Sequence, residues 1–205
     1  TLIRTRKANR KEWFKDGRLV RTPSLAFAVK SLLDWAGATP GDEPLGIITF
    51  AALEVVLRCA AGLETPERSR DAWKAMGQPV AALEAFSGEL APLLAGWSRG
   101  ILTGHYGATR GLDELAGCDA LATLGDPWVN LDAAHADAAF LGLGDQWEER
   151  YEARCRAELE QAHGRLRTIH RTRPGRALHI GAVLPGGRGW ERGHVLVTPL
   201  EGGTL

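Results

Sequence analysis

The fold class is indicated by a short apolar stretch, Leu45-Gly46-Ile47-Ile48-Thr49-Phe50. It is rich in β-branched residues and shows no alternation of apolar and polar side chains, which is typical of a strand buried on both faces of a parallel sheet. A helical pattern follows at once, over residues 51–61, with Leu53, Val56 and Leu57 on one side. A buried strand that leads directly into a helix is the repeating unit of α/β folds.

The same unit recurs along the chain. Further strands are predicted at Gly100–Gly104, Ala120–Leu124, Arg176–Gly181 and His194–Thr198, and further helices at Ser24–Trp35, Leu131–Leu141 and Trp147–His163. Residues 64–98 are predicted to form three helical segments, Pro66–Met76, Val80–Phe86 and Leu90–Trp97. Alternating strands and helices predict a parallel α/β sheet with helices on both faces, which binds ligands beyond the carboxyl ends of its strands.

The first 21 residues differ in charge from the rest of the chain. They contain eight basic and two acidic side chains, a net charge of +6, whereas the whole chain is neutral. Asp16-Gly17 lies there between two apolar segments, a pattern that predicts a tight hairpin. We therefore expect a basic N-terminal arm or hairpin over residues 1–21 and an α/β domain over residues 22–205. A basic arm suits contact with a polyanion, and a solvated, flexible chain end is the alternative.

Composition excludes several classes of protein. With 205 residues, 44% of them apolar, the chain is long enough for one globular domain and too apolar for a disordered tail. No apolar run approaches the roughly 18 residues of a membrane helix, and no secretory leader is visible. Three widely spaced cysteines favour a reducing, cytoplasmic location. Because the sequence begins with Thr1, we expect a fragment, a processed product or the ordered part of a longer protein.

The chain lacks the standard motifs that hold nucleotides and metals. It contains no Gly-x-x-x-x-Gly-Lys-[Ser/Thr] loop, and therefore no standard cradle for nucleotide phosphates. Asp113-Glu114 is an acidic pair, but the residues before it are not a β-run that would aim a carboxylate at a metal. The histidines show no metal-ligand spacing with each other or with cysteine. We therefore predict no metal site in this chain.

Two arginines follow the last long helix, in the segment Gln161-Ala162-His163-Gly164-Arg165-Leu166-Arg167. The glycine is expected to end the helix. Planar guanidiniums bind phosphates through paired hydrogen bonds and stay charged. An arginine that reaches a transferring phosphate stabilises the charge of the transition state. The alternative is an ordinary surface helix end, where arginines lie near the negative pole of the helix dipole.

Three segments together resemble motifs of superfamily 2 helicases. Residues 100–113, with their Arg-Gly-Leu-Asp turn, and residues 118–127 resemble motif V and the strand that follows it. Residues 161–167 resemble motif VI, the Gln-x-x-Gly-Arg-x-x-Arg segment, and residues 46–50 resemble the motif IV strand. The segments occur in the order of that superfamily, and the resemblance covers residues 22–182.

This sequence departs from the superfamily pattern at two places. The second arginine of motif VI is expected at position 168, where this chain has Thr168. The arginine finger is therefore Arg165, Arg167 or Arg171. Residues 64–98 also lack the extra strand that is usual between motifs IV and V.

The resemblance implies the second RecA-like lobe of an ATP-dependent nucleic-acid helicase or translocase. In that family, ATP and Mg²⁺ are held mainly by a first lobe with the P-loop, so hydrolysis requires both lobes. The residues implied for catalysis are Arg165, Arg167 and Gln161. Those implied for nucleotide contact are Gly111, Asp113 and Gly164. Those implied for contact with the nucleic-acid backbone are Thr49, Thr103 and His105.

The resemblance also implies partners. They are nucleic acid, with DNA favoured over RNA, and a P-loop-bearing lobe in the same protein or another subunit. No contact with a membrane is expected. Two alternatives remain open: a non-catalytic RecA-like module that docks to protein or nucleic acid, and a nucleotide-binding α/β enzyme of another kind. No nucleophile–base pair or dinucleotide fingerprint in the sequence supports the second alternative.

Overall fold

The protein is represented by a computed structural model that describes residues 2–4, 13–15, 18–20, 23–38, 41–108, 113–127, 131–166, 175–181 and 192–193. The strands within these residues are β1 (Leu2–Arg4), β2 (Phe14–Lys15), β3 (Arg18–Leu19), β4 (Leu45–Thr49), β5 (Ile101–His105), β6 (Ala120–Leu124), β7 (Arg176–Gly181) and β8 (Arg192–Gly193). The helices are α1 (Pro23–Gly37), α2 (Ala51–Ala60), α3 (Pro66–Ala75), α4 (Val80–Ala95), α5 (Leu131–Phe140) and α6 (Trp147–His163). Short 3₁₀ turns are T1 (Asp113–Gly117), T2 (Gly144–Gln146) and T3 (Gly164–Leu166).

Six of these strands form one sheet in the order β5-β4-β6-β7-β1-β8. All neighbouring strands run parallel, and Ile47 of β4 lies opposite Thr103 on one side and Ala122 on the other. Every residue of β4 and of β6 is buried, because helices cover both faces of the sheet. The structure therefore confirms the predicted parallel α/β sheet flanked by helices.

Different helices cover the two faces of the sheet. Helices α1 to α4 pack on one face, around Ile47 and Ala122, and we call this the α2 face. Helix α6 and turn T3 pack on the other, around Ile48 and Leu121, and we call this the α6 face. Successive residues of a strand point to opposite faces, which is why Ile47 and Ile48 belong to different clusters.

The described parts of the N-terminal segment pack with the α/β core. Strands β2 and β3 pair antiparallel, with Phe14 opposite Leu19, which confirms the predicted hairpin; its turn residues lie outside the described part. Trp13 is fully buried, and its indole N–H donates to Ser24 Oγ over 3.1 Å. Strand β1 lies within the main sheet, between β7 and β8. The boundary between residues 21 and 22 stays a prediction.

The helical region between β4 and β5 differs from its prediction in one respect. Helix α4 is continuous over Val80–Ala95, so the predicted break at Ser87-Gly88 is wrong. The Ser87 hydroxyl donates to the carbonyl oxygen of Leu83 over 2.8 Å, and Phe86 and Leu90 are buried against the core. This packing outweighs the weak helix propensity of serine and glycine. Residues 64–98, all of them described, contain no strand, as predicted.

Two further observations complete the fold. The strand predicted at residues 194–198 lies outside the described residues, and β8 occurs just before it. Among the residues that the structure describes, no helix combines the length and apolarity that a membrane crossing requires.

Candidate functional site

The segments that resemble motifs V and VI meet on the α6 face of the sheet. Turns T1 and T3 pack against each other, and Leu115 of T1 shares a buried cluster with Leu166 of T3. Asp113 is exposed at the beginning of T1, and Arg165 is partly buried in T3. The two residues that the sequence assigned to the nucleotide are therefore carried by adjacent turns.

Arg165 follows α6 without the left-handed glycine cap that usually ends a helix. Gly164 has a φ of −59° and a right-handed helical conformation, so the chain continues smoothly into T3. The helix ends at Gly164 as predicted, but a left-handed turn is not the reason. The Nε atom of Arg165 is buried and makes no hydrogen bond to any described residue. A buried guanidinium N–H without an acceptor is a candidate group for binding an anion.

A row of polar side chains connects β7 to the end of α6 on this face. On β7, Nε2 of His179 lies 3.2 Å from Asp126 Oδ1, and its Nδ1 lies 2.8 Å from Thr123 Oγ1. The same Thr123 oxygen lies 3.0 Å from Nε2 of His163, the last residue of α6. We call these four residues the buried row; three of them have no exposed surface, and His163 is partly buried. The contacts of the buried row connect the residue before T3 to the central strands β6 and β7.

The surroundings of the buried row explain its protonation and its packing. A Cβ atom at position 181 would overlap Asp126 and His179, so Gly181 leaves room for that pair. Burial, together with the neighbouring His179, lowers the pKa of His163 to about 3, so that His163 is neutral at pH 7. Burial raises the pKa of Tyr106 well above its usual value, and the nearby Asp126 carboxylate adds to this shift.

A second polar group lies on the α2 face, at the carboxyl end of the edge strand β5. Glu54 of α2 accepts a hydrogen bond from the Thr103 hydroxyl, with 3.1 Å between Oγ1 and Oε1. Its other oxygen, Oε2, lies 2.6 Å from Nδ1 of His105. The side chain of Glu54 is 14% exposed and that of His105 is 37% exposed. We call these three residues the edge trio.

The remaining predicted site residues are not brought to the same place. Thr49 is fully buried, and its hydroxyl donates to the carbonyl oxygen of Leu124 over 2.9 Å. Its side chain therefore packs the sheet and does not reach a surface where nucleic acid could bind, unlike the prediction. Gln161 is partly buried in the last turn of α6. Gly111 and Arg167 lie outside the described residues, as does Arg171.

Sequence reasoning did not select Glu54, Asp126, His163 or His179 as site residues. Glu54 had a local signal, because it is the only carboxylate in the helix directly after the first buried strand. Asp126 lies directly after a predicted strand and His163 lies within residues 161–167, whereas His179 had no such signal. The contacts among the three depend on which strands are neighbours in the sheet.

A cleft of about 970 Å³ lies at the amino ends of β4 and β5 and is lined in part by Trp97 and Arg99. Arg99 and Arg176 each donate to the carbonyl oxygen of Ala36, over 2.7 and 3.1 Å, and their guanidiniums stack on Trp97 and Trp35. These arginines supply hydrogen-bond donors to the C-terminal end of α1. Because α/β sheets bind ligands at the carboxyl ends of their strands, we assign this amino-end cluster a structural role.

Within the described residues, no group of three or more His, Cys, Asp or Glu side chains is arranged to hold a metal ion. No model of a protein family matches the sequence, and no curated protein matches it.

Proposed function

We propose that this chain is the second RecA-like lobe of an ATP-dependent nucleic-acid helicase or translocase. The observation that carries the proposal is the packing of T1 against T3, which places Asp113 and Arg165 on adjacent turns on the α6 face of the sheet. The resemblance to motifs V and VI implies the same juxtaposition, and this agreement supports the proposal.

In the proposed reaction, ATP lies between this lobe and a lobe with the P-loop. Arg165 binds phosphate oxygens and stabilises the charge that develops during hydrolysis, an effect worth about 10³–10⁵ in rate. A phosphate supplies the acceptor that the buried Nε of Arg165 lacks among the described residues. Mg²⁺, when bound, neutralises phosphate charge, and the described part of this chain offers no cluster for it.

In the same proposal, the nucleic-acid backbone contacts the edge trio. The hydroxyl of Thr103 donates its hydrogen bond to Glu54, whereas the side chain of His105 is 37% exposed. Of the three residues first assigned to this contact, we therefore assign it to His105. Contacts to phosphate make the binding independent of sequence and sensitive to salt. The preference for DNA over RNA and the position of the second arginine remain predictions.

The test is ATP hydrolysis by a protein that joins this chain to a P-loop lobe. Arg165→Ala is expected to lower turnover by about 10³-fold or more, because it removes the transition-state contact, and to leave ATP affinity nearly unchanged. Arg156→Ala is the matched control, since Arg156 is an exposed arginine of α6, the helix that precedes Arg165. The chain alone is expected to hydrolyse no ATP. Undiminished turnover in Arg165→Ala contradicts the assignment of the finger to Arg165.

A further inference from the structure

The edge trio determines which ring nitrogen of His105 carries a hydrogen. An ionised carboxylate only accepts hydrogen bonds. One oxygen of Glu54 accepts from the Thr103 hydroxyl, and the other lies 2.6 Å from Nδ1 of His105. Nδ1 therefore carries the hydrogen and donates it to Glu54. This hydrogen bond fixes the tautomer of the neutral ring.

The fixed tautomer decides what His105 offers to a ligand. In the neutral ring, Nε2 then has a lone pair and no hydrogen, so it is an acceptor. Phosphate oxygens are acceptors as well, and two acceptors make no hydrogen bond. Only the imidazolium form carries hydrogens on both nitrogens, and only this form donates to a phosphate while it keeps its bond to Glu54.

We propose that His105 is a proton-gated phosphate contact and that Glu54 is the positioning residue that sets the gate. The proposal rests on the proposed function, because it describes how the nucleic-acid contact of that lobe is regulated. Histidine is the side chain that changes charge between about pH 5 and pH 8. Binding to a phosphate backbone is therefore expected to strengthen as the imidazolium form of His105 becomes populated.

Among the described residues, the charged side chains on the elements that pack against β5 have partners other than the His105 ring, apart from Glu54. The neighbouring strand β4 carries no charged residue, and α2 carries only Glu54 and Arg58. Arg58 Nε lies 3.0 Å from an oxygen of Glu64. From α6, Glu158 accepts the backbone N–H of Gly107 over 2.8 Å. Glu54 is therefore the charged group in direct contact with the His105 ring.

The decisive variant is Glu54→Gln, measured in the 205-residue chain. A glutamine amide donates to Nδ1 of His105, which moves the ring hydrogen to Nε2 and makes the exposed nitrogen a donor without added protons. The affinity for a fluorescein-labelled single-stranded oligothymidylate is measured by anisotropy at constant low salt. The wild-type chain is expected to bind about tenfold tighter at pH 5.5 than at pH 8. Glu54→Gln is expected to lose this difference and to bind tighter than wild type at pH 8.

Two controls separate the gate from general effects of acid. Glu54→Asp keeps the carboxylate and is expected to keep the pH dependence. His135→Ala removes an exposed histidine on α5 and is expected to keep it as well. His105→Ala is expected to abolish it. If the affinity of wild type does not change with pH, or if Glu54→Gln retains the full change, the proposal is wrong.

The tautomer is measured without nucleic acid, which distinguishes the two ways of failing. Nitrogen-15 NMR of the imidazole is expected to show the hydrogen on Nδ1 in wild type at pH 8 and on Nε2 in Glu54→Gln. A hydrogen on Nε2 in wild type overturns the gate even when the chain binds nucleic acid. If the tautomers are as expected but no oligonucleotide binds at any pH, the proposed nucleic-acid function is wrong, and the gate is overturned with it.

Discussion

Two histidine–carboxylate pairs lie near the carboxyl end of the sheet, one on each face, within the residues that the structure describes. His179 and Asp126 on the α6 face have no exposed surface, and 3.2 Å separates them. His105 and Glu54 on the α2 face are 2.6 Å apart, and the His105 side chain is 37% exposed. His179 uses both ring nitrogens inside the protein, whereas His105 uses one. Burial therefore makes the first pair structural and leaves the second with a nitrogen for a ligand.

Replacement of His179 is expected to cause the largest loss in the free energy of unfolding. His179→Phe removes the imidazole from Asp126 and leaves a buried carboxylate without that partner. Removing one partner of a buried pair costs about 3–5 kcal/mol in the free energy of unfolding. Urea denaturation of the chain measures this loss. A loss below about 1 kcal/mol, the range of exposed pairs, would show that burial does not distinguish the two pairs.

Replacement of Thr123 tests whether the buried row acts as one unit. Thr123→Val keeps the shape of the side chain and removes the hydroxyl that contacts both His163 and His179. We expect a loss of about 1–3 kcal/mol, because two buried ring nitrogens lose their shared partner. Thr123→Ser is the matched control and should retain most of the stability. Equal stability of the valine variant and wild type in urea denaturation would contradict this role of the hydroxyl.

The low pKa of His163 predicts how stability changes with pH. Above pH 6.5 the imidazole is neutral in the folded and unfolded states, so its shifted pKa has no effect. As the pH falls from 6.5 toward about 3, the unfolded chain takes up a proton that the folded chain does not, and stability declines. The slope for one proton is about 1.4 kcal/mol per pH unit.

The measurement compares urea denaturation of wild type and His163→Gln between pH 7 and pH 5. Glutamine retains an N–H near the position of Nε2 but does not titrate. The difference in unfolding free energy between the two proteins should shrink as the pH falls, in favour of the variant. Parallel pH profiles of the two proteins would contradict the lowered pKa.

The smallest expected effect on stability belongs to the exposed pair. His105→Gln should change the unfolding free energy by less than about 1 kcal/mol, because the imidazole is partly hydrated in the folded state. The same urea denaturation provides the measurement. A loss as large as that of His179→Phe would mean that the edge trio supports the fold, and its assignment to a ligand would lose its basis.

Local patterns were enough to predict most of the fold. The apolar run at residues 45–50 predicted a strand buried on both faces, and Asp16-Gly17 predicted the hairpin. Strand β1 was not predicted as part of the sheet, because three residues in a basic segment show no recognisable period. The continuity of α4 was also missed, since it depends on packing against the core that the sequence does not display.

The candidate site was predictable only where a motif named its residues. Thr103, His105 and Arg165 came from segments that resemble helicase motifs, whereas Thr49 came from a weaker resemblance and is buried. Contact between Asp126 and His179 requires β6 and β7 to be neighbours, and sequence spacing carries no information about strand order. Such long-range pairs are therefore found in coordinates and not in patterns.

The place of β1 in the sheet has a consequence for biosynthesis. Leu2 pairs with His179, so β1 is synthesised long before β7, the strand to which it bonds. Contacts between such distant residues slow folding, because a long loop must close before they form. Translation arrested before β7 leaves β1 and the row around Thr123 incomplete. Synthesis of β7 is therefore the step that allows β1 to join the described sheet.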